Sequence, residues 1–309
     1  MNLPTSVKIV EVSPRDGLQN EAHFVDSAVK IELINRLSKA GFPNIEAASF
    51  VSPKWVPQMA GSQAVMQGIR RQPNTVYSAL TPNLRGYDDA VASGVDEVVI
   101  FTAASEAFAQ RNINCSIAES IKRFEPVAQA AQRDGIRLRG SISCSLGCPY
   151  QGEVSEAAVV EVVQRLRDLG VIEFDIADTI GVGTAAHVAS LMHAVSRVVP
   201  IEQIAGHFHD TYGQAIANVL ASLQVGVSIF HSSVAGLGGC PYAKGATGNV
   251  ATEDLLYLLN GLGIHTGVDF DTVVQTGVWI SSQLGKPSAS RVGNALSAGA
   301  CTEYAAQSN

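Results

Sequence analysis

Residues 137–178 read RLRGSISCSLGCPYQGEVSEAAVVEVVQRLRDLGVIEFDIAD and contain one complete repeat of the fold. The run at 137–143 predicts a β-strand, and the segment 155–169 returns apolar residues every three or four positions, as an amphipathic helix does. Gly170 ends this helix, and the apolar run at 173–178 predicts the next strand. The stretch is therefore a β-α-β unit.

The same alternation continues along the whole chain. Strands are predicted at eight places: 9–12, 44–49, 75–80, 97–102, 137–143, 173–178, 204–209 and 228–233. Helical periodicity separates many of them, over 27–40, 117–133, 155–169, 185–199 and 214–224. Several of the connecting segments end in a glycine stop: Gly41, Gly94, Gly135, Gly170 and Gly226. Eight such units, with no G-x-G-x-x-G after the first strand, favour a closed (β/α)8 TIM barrel over an open doubly wound sheet.

No linker or change of composition divides the chain, so we predict a single domain over residues 1–309. The barrel is expected over about 5–262, closed by a helix at 252–261. An additional C-terminal helix is predicted over about 269–284. The remainder, about 286–309, is rich in Ser, Ala and Gly and is expected to be a flexible tail.

Composition limits the classes of partner. Hydrophobic residues make up 46% of the chain and charged residues 16%, so a large core can form and disorder is excluded as the main state. Lys plus Arg is 21 and Asp plus Glu is 28, which gives a net charge of −7. Such a surface repels nucleic acid and anionic membranes. We therefore expect a small-molecule substrate, with neither nucleic acid nor membrane as a partner.

The compartment is predicted from two further features. No apolar run reaches the roughly 18 residues of a membrane span, and the first predicted strand starts too early to leave room for a signal or transit peptide. The five cysteines are odd in number and include no Cys-x-x-Cys pair. We therefore expect a cytoplasmic protein with reduced thiols and no structural zinc site.

A metal site is predicted at the carboxyl ends of the strands, where parallel barrels carry their reactive groups. His207 and His209 lie two residues apart on a strand, which directs both imidazoles to one face. Asp16 and Asn249 would add a carboxylate and an amide oxygen. This mixed set suits Mg²⁺ or Mn²⁺ and leaves positions open for substrate oxygens. A buried histidine without a metal is the alternative, and it fits a lone histidine better than this pair.

Three more ionisable residues are expected near this mouth. Arg15 would place a fixed positive charge where an oxygen develops negative charge. The alternative is a salt bridge between Arg15 and Glu46 that only holds the loop, and both can be true. Glu46 could act directly or orient a neighbour. Asp178 ends the sixth predicted strand.

The loop at 236–249, GLGGCPYAKGATGN, carries five glycines in 14 positions and is interpreted as a lid. It does not match the P-loop order, so it does not indicate a nucleotide-phosphate site. Cys240 lies within it. A thiol with an unperturbed pKa near 8.5 is mostly protonated at neutral pH. Loop closure could therefore bring a proton donor or acceptor to the reacting carbon.

These motifs resemble those of the hydroxymethylglutaryl-CoA lyases, metal-dependent barrel enzymes of a superfamily that cleaves or forms bonds next to acyl-CoA thioesters. The resemblance extends from about residue 5 to about residue 285. Six stretches carry it: PRDGLQNE (14–21), SFVSPKWVPQM (49–59), NINCS (112–116), DTIGVGT (178–184), HFHDTYGQ (207–214) and the loop at 236–249.

The resemblance implies roles for individual residues. It implies metal binding by four side chains: Asp16, His207, His209 and Asn249. It implies catalytic roles, with Arg15 and Cys240 foremost, for a set of six: Arg15, Cys240, Asp16, His207, Glu46 and Asp178. The residues that contact coenzyme A cannot be identified from the sequence, although three loop residues are candidates: Lys54, Arg111 and Asn112.

The reaction implied by the resemblance is a retro-Claisen cleavage of 3-hydroxy-3-methylglutaryl-CoA to acetyl-CoA and acetoacetate. Asp16 or His207 accepts the proton of the tertiary hydroxyl, and the C2–C3 bond breaks as the ketone forms. Arg15 stabilises the thioester enolate, and Cys240 protonates its carbon. The resemblance also implies a role in leucine degradation and ketone-body metabolism, and a homo-oligomer, either a dimer or a tetramer.

Three residues depart from the usual family pattern. Ser13 and Ala177 stand where glycine is common, and His231 stands where aspartate is common. Because one methylene changes specificity by only about 1 to 3 kcal/mol, these changes leave the lyase chemistry in place and open the choice of substrate. A substrate with a longer branch at C3 is the first alternative.

Two other functions compete with the lyase. One is an acetyl-CoA-dependent Claisen synthase of the same superfamily, which usually carries a regulatory domain after the barrel and lacks the Gly-Gly-Cys-Pro-Tyr loop. The other is a non-catalytic acyl-CoA binding protein, which would lack a metal ligand or the thiol. The sequence retains the loop, the ligands and the thiol, so the lyase is favoured.

Overall fold

A closed barrel of eight parallel strands forms the centre of the chain in the computed structural model. The strands are β1 (Lys8–Glu11), β2 (Asn44–Ser49), β3 (Val76–Leu80), β4 (Glu97–Ala103), β5 (Arg137–Ser143), β6 (Glu173–Asp178), β7 (Ile204–Phe208) and β8 (Ile229–Ser232). The structure describes residues 3–239 and 248–306, with side chains as far as residue 298. The predicted (β/α)8 barrel is confirmed, and each predicted strand boundary lies within one residue of the observed one.

Helices surround the barrel. They are α1 (Ser27–Lys39), α2 (Ser62–Gly68), α3 (Leu84–Ala92), α4 (Glu106–Ile113), α5 (Ile117–Asp134), α6 (Glu156–Asp168), α7 (Ala185–Val195), α8 (Ala215–Val225), α9 (Thr252–Gly261), α10 (Phe270–Leu284) and α11 (Arg291–Ala306). Besides α11, three short helices lie outside the predicted set: α2, α3 and α4. They are seven, nine and eight residues long, which is too short for a clear repeat of apolar positions.

The glycine stops end helices as predicted. Gly135 and Gly226 follow α5 and α8 with φ angles of 68° and 107°. This left-handed conformation is strained for residues with a β-carbon. Each glycine thereby turns the chain toward the next strand.

Apolar side chains separate into two groups because the barrel is closed. The larger core lies between the strands and the helices. Inside the barrel lies a small apolar cluster of four residues: Val10, Val12, Ala205 and Ile229. Side chains alternate along each strand, so other inward positions are available to polar groups.

Within the segment predicted as a flexible tail, residues 291–306 form α11. The helix begins at a carboxylate supplied by α9. Asp254 accepts hydrogen bonds from the backbone N–H groups of Arg291, at 3.2 Å, and Val292, at 2.9 Å. It also accepts one from the Ser290 hydroxyl at 2.7 Å. This carboxylate satisfies donors that the first turn leaves free. A composition rich in Ser, Ala and Gly cannot predict such a distant partner.

Among the helices formed by the described residues, none combines the length and the hydropathy needed to cross a bilayer.

We predict that Asp254→Ala loosens α11 from the barrel. Loss of the capping carboxylate should lower the free energy of unfolding by about 0.5 to 2 kcal/mol, measured by urea denaturation. Hydrogen exchange should accelerate within α11 in particular. Asp88→Ala, on the exposed face of α3, is the matched control and should change the free energy by less than about 0.5 kcal/mol. Equal exchange rates in wild type and Asp254→Ala would contradict the capping role.

Candidate active site

Four of the predicted functional residues line one cavity at the carboxyl ends of the strands. Its volume is about 1250 Å³, and its wall includes Arg15, Asp16, His207 and His209. The remaining lining comes from several of the loops and from Leu80, Phe101, Ser141 and Ala177 on the strands, among other residues. Two of the three candidates for coenzyme A contact, Arg111 and Asn112, also line this cavity, whereas Lys54 is not among its lining residues. The cavity is larger than a small acid alone requires.

The four predicted metal ligands meet at this mouth. Ligand atoms of Asp16, His207 and His209 all lie within 4.8 Å of one another. Asn249 bridges them, because its Oδ1 lies 2.6 Å from Nε2 of His207 and its Nδ2 donates to Asp16 Oδ2 at 2.8 Å. The amide of Asn249 also donates to the backbone carbonyl of Leu237 at 3.1 Å. One ion could therefore reach all four side chains.

The electrostatics of the three titratable ligands suit a cation. Burial alone would raise the pKa of Asp16, but the charges of Arg15 and the two histidines lower it to about 2. Burial and the charge of His207 lower the pKa of His209 to about 4. Burial opposes the charge of His207, but the Asp175 carboxylate raises its pKa to about 9. At neutral pH the site thus holds an anionic carboxylate and a neutral imidazole, and a cation would replace the proton on His207 Nε2.

Arg15 is held between two carboxylates. Its Nε pairs with Glu46, and its Nη1 lies 2.6 Å from Asp16 Oδ1. The Arg15–Glu46 salt bridge anticipated from the sequence is therefore present. Nη2 of Arg15 makes no hydrogen bond to the described residues, and Arg15 lines the cavity. The carboxylate of Glu46 is buried and that of Asp16 is partly buried. Together they fix the guanidinium of Arg15 in one orientation.

Glu46 lies behind Arg15 and is not one of the described residues that line the cavity. It is 1% exposed and pairs with a second guanidinium, that of Arg139 on β5. Burial would raise the pKa of Glu46, but the two arginines lower it. The orienting interpretation of Glu46 therefore agrees with its contacts better than direct attack on a substrate.

Asp178 lies apart from the metal ligands. It pairs with Phe208 in the β6–β7 register, whereas Ala177 pairs with His207, so Asp178 points to the opposite face of the sheet. Its carboxylate accepts hydrogen bonds from the backbone N–H groups of Val182, at 3.1 Å, and Gly183, at 2.8 Å. Burial raises the pKa of Asp178 to about 6. These contacts shape the loop after β6.

The carboxylate of β6 that contacts His207 is instead Asp175, which the sequence interpretation missed. Asp175 is 2% exposed, and its Oδ2 lies 3.3 Å from Nδ1 of His207. Strand alternation provides a signal, because Asp175 and Asp178 are three residues apart and must point to opposite faces. The facing residue on β7 decides which of them points inward. Arg139 and His231 share this inward face and were likewise not predicted as partners of the site.

Cys240 lies outside the described residues, as does the loop segment 240–247. The two ends of the loop are described and lie beside the site. Asn20 donates a hydrogen bond to the backbone carbonyl of Gly239 at 2.7 Å, and Gly239 lines the cavity. At the other end, Val250 N–H donates to the carbonyl of Phe208 at 2.9 Å. The residue preceding the predicted thiol therefore borders the same cavity as Arg15.

Comparison with known proteins agrees with this site. A family described as HMGL-like matches residues 6–280. A relative from Pseudomonas aeruginosa, named 3-hydroxy-3-isohexenylglutaryl-CoA/hydroxy-methylglutaryl-CoA lyase, is 59% identical over 296 residues, which cover 96% of this chain and 99% of that protein. A relative from Danio rerio, named 3-hydroxy-3-methylglutaryl-CoA lyase, cytoplasmic, is 55% identical over 293 residues, which cover 95% and 88%.

The fold is also shared with solved structures. An HMG-CoA lyase from Acinetobacter baumannii, in complex with coenzyme A and 3-methylmalate, superposes with a TM-score of 0.91. Its sequence is 36% identical, and the match covers 94% of this chain and 95% of that one. The likeness therefore includes nearly the whole barrel and not only its mouth.

The turn before the 236–249 loop is supported by two buried carboxylates. Val234 N–H donates to Glu11 at 3.0 Å, and Ala235 N–H donates to both oxygens of Glu253, each at 3.0 Å. Ala235 has a φ of 59°, a conformation that costs energy in residues other than glycine. Burial outweighs the hydrogen bonds that Glu253 accepts and raises its pKa to about 8. The start of the loop is thus tied to α9 through a mostly protonated carboxyl group.

We predict that Glu253→Gln reduces the loss of stability at alkaline pH. The pKa of Glu253 is raised from 4.5 to about 8, so its contribution is complete below pH 4.5 and is lost as the pH rises through 8. Between pH 5 and 9 the free energy of unfolding of wild type should fall by an amount on the order of a few kcal/mol more than that of Glu253→Gln. Urea denaturation across this range measures the difference. Glu153→Gln, at an exposed position, should reproduce the wild-type curve, and a Glu253→Gln curve parallel to wild type would contradict the assignment.

Proposed function

The chain belongs to the HMGL-like family, and from this premise we propose that it is a hydroxymethylglutaryl-CoA lyase. It cleaves 3-hydroxy-3-methylglutaryl-CoA, or a close analogue with another C3 branch, to acetyl-CoA and acetoacetate or the corresponding 3-oxo acid. The observation that carries the proposal is the meeting of Asp16, His207 and His209 at the barrel mouth. Arg15 borders the same cavity.

A divalent cation, Mg²⁺ or Mn²⁺, is the proposed cofactor. Asp16, His207, His209 and Asn249 would hold it, and their carboxylate, imidazole and amide groups are a donor set suited to such ions. The spacing of the three titratable ligands within 4.8 Å supports this fit. When bound, the cation supplies a Lewis acid that makes the tertiary hydroxyl of the substrate more acidic.

The side chains around the cation site would then divide the reaction. Of the two candidate bases on the cavity wall, Asp16 keeps a carboxylate oxygen that can accept the hydroxyl proton as the C2–C3 bond breaks, whereas His207 could accept it only if its Nε2 did not bind the cation. Arg15 stabilises the enolate oxygen of the departing acetyl-CoA, and the lack of a hydrogen bond from its Nη2 to the described residues supports this role. Glu46 holds Arg15 in place, and Asp178 acts through the loop after β6.

Cys240 is the proposed donor of the final proton, which converts the enolate carbon to the methyl group of acetyl-CoA. The position of Gly239 on the cavity wall supports this role. A closed loop would also keep water from the enolate until the proton is delivered.

The C3 substituent defines the substrate range. The cavity wall includes apolar side chains from β3, β4 and the helices that follow β4: Leu80, Phe101, Phe108 and Phe124. An apolar wall favours an apolar branch, at about 0.8 kcal/mol per buried methylene. This lining supports acceptance of branches longer than methyl, and the name of the Pseudomonas aeruginosa relative includes such a branch.

The proposed partner is an acyl-CoA, and the proposed assembly is a homo-oligomer in the cytoplasm. The coenzyme A complex of the Acinetobacter baumannii relative supports the first of these proposals. Arg111 on the cavity wall could contact a coenzyme A phosphate.

We predict that the purified protein with Mg²⁺ or Mn²⁺ releases acetyl-CoA from hydroxymethylglutaryl-CoA. A panel of thioesters that differ only at C3 should show release with methyl and with longer apolar branches, because the apolar wall accepts both. Enzyme treated with a chelator is the control and should be inactive. Condensation of acetyl-CoA with a 2-oxo acid, without cleavage, would instead identify the competing synthase. Thioester binding without either reaction would identify a binding protein.

We predict that His207→Ala weakens Mn²⁺ binding at least about 10-fold, because it removes one of the nitrogen ligands. Titration calorimetry with Mn²⁺ alone measures this without substrate. His193→Ala, on the exposed face of α7, is the matched control and should bind as wild type does. Normal affinity in His207→Ala would remove this residue from the ligand set.

We predict that Cys240→Ala lowers kcat about 100-fold or more and leaves Mn²⁺ and coenzyme A affinities unchanged, as expected for loss of a general acid. Steady-state kinetics and calorimetry separate the two effects. Cys148→Ala, a buried cysteine outside the cavity lining, should retain turnover. Wild-type kcat in Cys240→Ala would rule out the proton-donor role.

A further inference from the structure

A third histidine, His231, lies directly behind the proposed metal ligand His207. His231 on β8 is 1% exposed, and its Nδ1 lies 3.3 Å from Nδ1 of His207. Neither His231 nor Asp175 belongs to the described lining of the cavity. Any contribution that His231 makes to the reaction therefore passes through His207 and not through contact with substrate.

The proton position on His231 follows from its contact with Arg139. Nη1 of Arg139 lies 3.0 Å from Nε2 of His231, and a guanidinium can only donate. Nε2 must therefore accept, which leaves the proton of a neutral His231 on Nδ1. Arg139 is itself fully buried and paired with Glu46 and Glu97, so it cannot turn away.

Asp175 is the acceptor within reach of the resulting N–H group. Its Oδ2 lies 3.4 Å from Nδ1 of His231 and 3.3 Å from Nδ1 of His207, and the Ser141 hydroxyl donates to the same oxygen at 2.8 Å. Oδ1 of Asp175 has no hydrogen-bond partner among the described residues. The orientation of this carboxylate therefore depends on the three donors that converge on Oδ2.

One carboxylate oxygen of Asp175 and one ring nitrogen each of His207 and His231 lie close enough together for one cation to contact all three. The hydrogen bond from Arg139 argues against a cation there. A metal at Nδ1 of His231 would require a lone pair there and a proton on Nε2. That proton would then face the N–H of Arg139 across 3.0 Å. The contact with Arg139 thus favours a chain of hydrogen bonds over a second ion.

We propose that His231 is a positioning residue, fixed by Arg139, that holds Asp175 so that His207 keeps its proton on Nδ1 and presents Nε2 to the metal site. This inference rests on the proposed function, because it assumes that His207 binds the cation. Partners of this kind typically change metal affinity or activity by about 10- to 100-fold.

Two substitutions separate the hydrogen bonds of His231 from its bulk. In His231→Asn the amide nitrogen lies near the place of Nδ1 and can still donate to Asp175. In His231→Gln the amide reaches the place of Nε2 and can accept from Arg139, but no donor faces Asp175. We expect the Kd for Mn²⁺ to rise about 10-fold in His231→Gln and to stay within about 3-fold of wild type in His231→Asn. Tyr77→Phe, which removes a buried hydroxyl hydrogen-bonded to Ser38 at 2.9 Å, is the control and should bind Mn²⁺ as wild type does.

Calorimetry with Mn²⁺ on the purified full chain decides the proposal. Equal affinities in His231→Gln and wild type would overturn it, and so would equal weakening in both His231 variants, because that result would assign His231 a packing role. If His231→Gln does not fold, ¹⁵N-histidine NMR of wild type provides the test. The proposal expects His231 with Nδ1 protonated and Nε2 unprotonated, and a proton on Nε2 overturns it. Absence of Mn²⁺ binding in wild type would count against the proposed function, and the NMR result would then decide the hydrogen-bond chain separately.

Discussion

The guanidinium of Arg139 is the buried charge around which the inner face of the barrel is arranged. It is 0% exposed, and it contacts carboxylates on β2 and β4 and the imidazole of His231 on β8. An unpaired charge at this depth would cost several kcal/mol. The strands must therefore keep the register that brings Glu46 and Glu97 to it. Burial lowers the pKa of Arg139 less than the surrounding carboxylates raise it, so the charge is retained.

Two lines of contact lead from this guanidinium to the reactive mouth. One passes through Glu46 to Arg15, which lines the cavity. The other passes through His231 and Asp175 to His207. The two groups that the proposed reaction needs, a fixed cation for the enolate and an oriented metal ligand, are thus anchored to one point. Side chains on rigid strands hold such geometry more closely than loops can.

Much of the fold could be predicted from the sequence because the strands are short β-branched runs followed by helices that end in glycine. The clustering of Asp16, His207, His209 and Asn249 could be predicted as well, since His207 and His209 share a face on any strand and Asp16 and Asn249 follow strand ends. What could not be predicted depends on register and distance. Asp178 matched a motif but points away from the lumen, and α11 forms on a carboxylate supplied by α9.

The division between strand and loop residues explains which parts of the site the sequence describes well. A motif records the types of residue that the chemistry needs, so Arg15 and the histidine pair are evident without coordinates. A supporting group is defined only by what it faces, and Asp175 acquires its meaning from His207 across the β6–β7 pairing. An aspartate one or two positions farther along β6 would leave the composition of the strand unchanged but would not make this contact with His207. The inward polar layer is therefore where a barrel of this kind can change its supporting contacts without changing its motifs.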